Sequence, residues 1–151
     1  MRACTAGILG GLIAGAAVAA AMSEGRRRGL LHETLSERAQ NWLDERFEMR
    51  DLVGESGTAA VEQGTHLAVS GAFGALYATL LRPCLRGMST FWRGAGLGTA
   101  MYFIDVVKLA PRLGITRGEY KEVPSVIAQR YGMHLLFGLV TAIAVDALSD
   151  R

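Results

Sequence analysis

Residues 3–22 read ACTAGILGGLIAGAAVAAAM, twenty consecutive uncharged positions. At 1.5 Å of rise per helical residue this run is roughly 30 Å long, the thickness of a bilayer's hydrocarbon core. Ala19-Ala20-Ala21 has the small residues of a leader cleavage site. The basic triplet Arg26-Arg27-Arg28, however, stands where a signal peptide would carry the translocated chain, so the run reads as a retained span.

Three further runs share that character. Residues 64–81 and 131–148 are each 18 residues long, the latter interrupted by Asp146 alone. Residues 91–109 are the weakest candidate. Their uncharged part, 94–104, is too short to cross, so the reading requires Arg93 and Lys108 to snorkel towards the interfaces. Phe91 and Trp92 then stand at headgroup level. Three spans, with 91–109 re-entrant, is the alternative.

Composition agrees with this distribution. Half of the 151 residues are hydrophobic, mean hydropathy is +0.24, and the formal charge of +2 gives no reason to expect a nucleic-acid partner. Cys4 and Cys84 form no CxxC pair and read as buried packing residues.

Residues 23–63 differ in kind. Leu31, Leu35, Ala39, Trp42, Leu43 and Phe47 recur at helical spacing, with Glu33, Glu37, Asp44, Glu45 and Glu48 on other faces. Thr34-x-x-Glu37 fits a capping box. This pattern predicts an amphipathic interfacial helix over about 30–53, with Gly54 to Gly57 as the turn before the second span. Pro124 fits the first turn of the last helix. The fold expected is all-α: a single integral membrane domain over 1–151, a helical bundle of about four transmembrane helices plus the interfacial one, with the lipid bilayer as its partner.

With four spans, five basic residues (Arg2, Arg82, Arg86, Arg93, Arg151) lie on the side of the termini and eleven on the side of the long connections. Positive charge is biased to the cytoplasm, so the long loops are expected there and both termini outside.

Gly7, Gly11 and Gly15 repeat every four residues in the first span, Ser70 and Gly74 in the second, Gly94 and Gly98 in the third; Gly138 and Ala142 do so in the fourth. Such stripes let helix backbones approach closely in lipid, within one chain or between the copies of a homo-oligomer.

Ionisable residues inside spans are where function is sought first. His66, Asp105 and His134, with Tyr102, fall at the long-loop side, about one turn inside the membrane. Three readings compete for this cluster: interhelical hydrogen bonding that fixes register, a proton or ion path through His66, Asp105 and His134, and bis-histidine ligation of haem. At the other side Asp146 is a candidate ion-pair partner of Arg82 or Arg93. There is no HExxH, GxSxG or Walker loop, and Gly94-x-Gly96-x-Gly98 lacks a preceding strand, so no enzyme is expected. Nothing in the spacing singles out a metal, and no resident cofactor is expected unless the two histidines take haem.

The glycine-alanine span Gly7–Met22, the segment His66-x-x-x-Ser70-Gly71-x-x-Gly74-Ala75-x-Tyr77, Leu109-x-Pro111-x-Leu113-Gly114 and His134-x-x-x-Gly138 together resemble the YagU-like family of bacterial inner-membrane proteins. The resemblance implies a bacterial inner membrane and, loosely, a link to acid tolerance. It implies no reaction, so a structural or interaction role is the first expectation.

Overall fold

The computed structural model of the chain describes residues 2–31 and 33–149. Arg151, counted above among the basic residues of the terminal side, lies outside them. The described residues form five helices and no strand: α1 (Ala3–Arg27), α2 (Leu35–Phe47), α3 (Met49–Cys84), α4 (residues 90–113) and α5 (Pro124–Ser149). A 3₁₀ turn, Glu119–Lys121, interrupts the connection before α5.

Three of these helices, α1, α3 and α5, are long and apolar enough to cross a membrane. α4 is not among them. It carries Arg93, Asp105 and Lys108, yet it stays helical from end to end and packs antiparallel to α5 without a re-entrant turn. Its 24 residues would extend about 36 Å.

The small-residue stripes set the order of the helices. α1 lies between α3 and α5, and α4 flanks the far side of α5. The buried positions of α1 are Ala6, Gly7, Gly10, Gly11, Ala14, Gly15 and Val18. Gly7, Gly11 and Gly15 meet Gly74 and Ser70 of α3, while Gly10 meets Val145 of α5. On the other side of α5, Gly138 meets Gly94 and Gly98 of α4. Without side chains in between, the helices come close enough for backbone-to-backbone dispersion contacts, which hold a bundle where lipid supplies no hydrophobic drive. The stripes thus pack within one chain. The core they surround contains Tyr77, Leu97, Met101, Phe137, Ala142 and Val145.

Cys4 and Cys84 are corrections to the reading above. Both are exposed, Cys4 in the first turn of α1 and Cys84 in the last of α3.

Two stretches are wound as π-helix, Tyr77–Leu81 and Leu109's segment Tyr102–Leu109. Each ends two residues before a proline, Pro83 and Pro111. A proline inside a helix lacks the N–H that would bond four residues back, and its ring crowds that carbonyl. Widening the preceding turns relieves both problems and rotates the residues in them. Tyr77, Tyr102 and Val106 of these stretches are buried, and Asp105 lies within the second.

The interfacial helix is shorter than the 30–53 expected. Thr34 caps it: its Oγ1 accepts from Glu37 N at 3.3 Å, and Glu37 Oε2 accepts from Thr34 N at 2.7 Å. It ends at Glu48, whose backbone is left-handed (φ 49°). Gly54 (φ 71°) then breaks the chain again, and α3 continues beyond it, with its first turns outside the apolar run. The apolar stripe of α2, Leu35, Ala39 and Leu43, faces a cavity of the bundle itself.

Candidate functional site

At the long-loop end the bundle does not close. A cavity of about 380 Å³ opens there, floored by Val18 and Met22 of α1 and roofed by α2. Val69, Ser70 and Phe73 line one wall, and Met101, Met133 and Phe137 line the other. α2 covers this space because the capping box starts it at Thr34 and polar ties hold it on three sides. Ser36 Oγ donates to Glu62 Oε1 of α3 at 3.0 Å, and Arg26 Nη2 of α1 pairs with Glu37 Oε1 at 2.8 Å. Arg38 bonds Glu122 from the connection before α5, and its Nε reaches Glu33 Oε2 at 2.9 Å.

His66, Asp105 and His134 all line this cavity, from α3, α4 and α5 respectively. They are not bonded to one another. His66 Nε2 donates to the Gly15 carbonyl at 3.1 Å, an interhelical bond onto α1. His134 Nδ1 donates to the Arg130 carbonyl one turn earlier in its own helix, at 2.7 Å. Since carbonyls only accept, both nitrogens carry hydrogen. Among the described residues the Asp105 carboxylate has no hydrogen bond and no ion pair. Tyr102 is turned away: its hydroxyl donates to Glu119 Oε2 at 2.7 Å, while its ring stands edge-on to Tyr131 and His134.

Arg130 is the residue that sequence reasoning missed. In the sequence it is one of the eleven basic residues of the long-loop side; in the structure it is buried to 3% exposure and lines the cavity. Its guanidinium bonds Glu119 and, at 3.4 Å, Glu122. Burial alone would raise the Glu122 carboxyl, but hydrogen bonds and charge from Arg38 and Arg130 outweigh it and hold the group below its ordinary range. Arg130 Nε remains buried without a partner. The signal available in sequence was the run Glu119, Glu122, Arg130, two acids within three helical turns of a base at a span's edge.

The deep end of the cavity stops at the close-packed core. Beyond it Asp146 of α5 receives Arg82 Nε of α3 at 2.9 Å and Arg93 Nη2 of α4 at 2.7 Å, and Thr90 donates to the same carboxylate. Arg93 therefore does not snorkel. Along α3 and α5, between the cavity and Asp146, the hydroxyls of Tyr77 and Thr141 are buried without a partner.

For haem, ligation through Nε2 would require His66 to give up Gly15. Among the described residues no group of three His, Cys, Asp or Glu side chains is placed to hold a metal ion. No protein-family model, curated protein or solved structure matches the chain.

Proposed function

We propose that this chain is a four-span inner-membrane protein of bacteria whose role is to bind a small ligand in the cavity beneath α2. The observation that carries the reading is the convergence of His66, Asp105, His134 and Arg130, from three helices, on one apolar cavity with a packed floor. A purely structural role gives no reason to keep such a space, since an empty cavity forfeits the dispersion contacts that hold the bundle. α4 joins the embedded helices through its long contact with α5, and the family resemblance supports the inner membrane. The long loops are then cytoplasmic, so a carboxy-terminal reporter is active outside the cytoplasm.

The test is binding of a neutral probe, phenylbutanol, to protein in nanodiscs, corrected for empty nanodiscs. Wild type binds it saturably. Ala39→Trp, which fills the cavity from the covering helix without touching the core, abolishes binding. A wild-type protein that binds no more than empty nanodiscs overturns the reading and leaves the structural role.

A second reading has one observation in its favour. The unpartnered Tyr77 and Thr141 hydroxyls stand between the cavity and Asp146, where ordered water would complete a proton path from His66, Asp105 and His134. Proton flux into liposomes, lost in Tyr77→Phe with its fold intact, is the measurement that would favour conduction over binding.

A further inference from the structure

We infer that the ligand of this cavity is an amphiphilic monocation, an amine or quaternary ammonium with an apolar body, bound with its charge at Asp105. The inference rests on the ligand-binding reading above and adds the chemistry of the ligand.

Three charged side chains line the cavity among the described residues: Glu62, Asp105 and Arg130. Their roles differ. Arg130 is the one base, and its charge is taken up by Glu119 and Glu122, so it offers little attraction to a bound anion. Glu62 accepts from Ser36 and lies under the covering helix. Asp105 alone has neither counter-ion nor hydrogen-bond donor, and it sits in a helix read as embedded, where water is scarce. The other groups facing it across the cavity are the imidazoles of His66 on α3 and His134 on α5, each with a nitrogen already bound to a carbonyl. α1 and α2 present no charge to the space.

An unpaired carboxylate in apolar surroundings is costly, and a ligand that pairs it removes that cost. A cation does so; an anion adds repulsion from two carboxylates. The remaining lining suits the rest of such a molecule. Phe73 and Phe137 present aromatic rings at the deep end, and Val18, Met101 and Met133 supply flexible apolar surface. Asp105 lies in the π-wound part of α4 that precedes Pro111.

The experiment compares three probes of matched shape in nanodiscs, each corrected for empty nanodiscs: phenylbutyltrimethylammonium, phenylbutanol and phenylpentanoate. Wild type should prefer the cation over the alcohol by about tenfold, with the carboxylate weakest. Asp105→Asn should erase that preference, weakening the cation about tenfold more than it weakens phenylbutanol. Because the substitution removes an unpaired charge, the variant should be at least as stable as wild type, and saturable phenylbutanol binding reports an intact cavity. Glu62→Gln, at the roof, should reduce the preference less. Equal binding of all three probes, or a preference for the carboxylate, overturns the inference while the cavity reading stands. If none of the three binds, the cavity reading itself has failed.

Discussion

Arg93 Nη2 stands 2.7 Å from Asp146 Oδ2, across the contact between α4 and α5. Arg82 approaches the other carboxylate oxygen from α3, so one acid ties three helices at the short-loop end. Both arginines and Asp146 are largely shielded from water. Removing one member of such a group leaves charge without compensation, whereas replacing the pair by apolar residues is often neutral. Asp146→Ala is therefore expected to lower unfolding stability in detergent by about 3 kcal/mol. Asp146→Leu combined with Arg82→Met and Arg93→Met should recover more than half of that loss. Thermal melts of the two variants decide it, and an unchanged melting temperature in Asp146→Ala would count against the tie.

The glycine contacts make a sharper prediction, because the same substitution has opposite effects at different positions. A Cβ on Gly74 would lie 2.1 Å from the Gly7 carbonyl, and one on Gly138 would lie 2.2 Å from the Gly94 carbonyl. Both obstacles are backbone, so the helices must separate. Gly74→Ala and Gly138→Ala should each destabilise the bundle by about 1–3 kcal/mol. Gly96 in α4 has nothing within 4 Å, and alanine there gains up to about 1 kcal/mol of helix propensity. Melting temperatures that fall equally in all three variants would mean that propensity or expression, not close approach, governs the result.

That His66, Asp105 and His134 share one end of the bundle was legible, because run boundaries locate each residue along its helix and up-down connectivity brings those ends together. That they line a cavity was not legible, since the separation of α3 from α5 depends on α1 between them. Arg130 was opaque for another reason. A base at the edge of a span looks the same whether it snorkels or is buried, and its partners lie in a connection without periodicity, gathered by the turn Glu119–Lys121. The end of α2 was equally hidden, because Glu48 takes a left-handed conformation that favours glycine or asparagine. The π-wound turns could have been anticipated from Pro83 and Pro111, each late in a long helix.

The Glu122 carboxyl gives the polar end a pH dependence. Its folded-state pKa is depressed by Arg38 and Arg130 after their attraction overcomes burial. A depressed acid contributes stability that is full above its unfolded pKa, about 4.3, and is lost as pH falls through the folded value. The difference in melting temperature between wild type and Glu122→Gln should hence be largest near neutral pH and shrink as pH drops below about 4. A difference that grows on acidification would have the wrong sign for this account.

The covering helix should be the least stable element, and its release should be local. No residue of α2 is fully buried; only Thr34, its cap, is. Its ties are side-chain bonds at the polar end: Ser36 to Glu62, Arg26 to Glu37, and Arg38 to Glu122 and Glu33. Segments with few buried apolar contacts open at low free energy, well before the bundle unfolds. Arg38→Gln removes the tie to the connection before α5 without touching α1, α3 or the cavity wall. Amide exchange across 35–47 should accelerate in that variant by about tenfold, the equivalent of 1.4 kcal/mol, while exchange in α1 stays as slow as before. Trp42, whose ring carries Arg46 at 4.8 Å and whose Nε1 is buried, reports the same opening by emission in a Trp92→Phe background, shifting to longer wavelength as α2 detaches. Acceleration spread evenly over α1, α3 and α5 would show that α2 is an integral part of the bundle, and an unchanged rate would show that the Arg38 tie does not hold it.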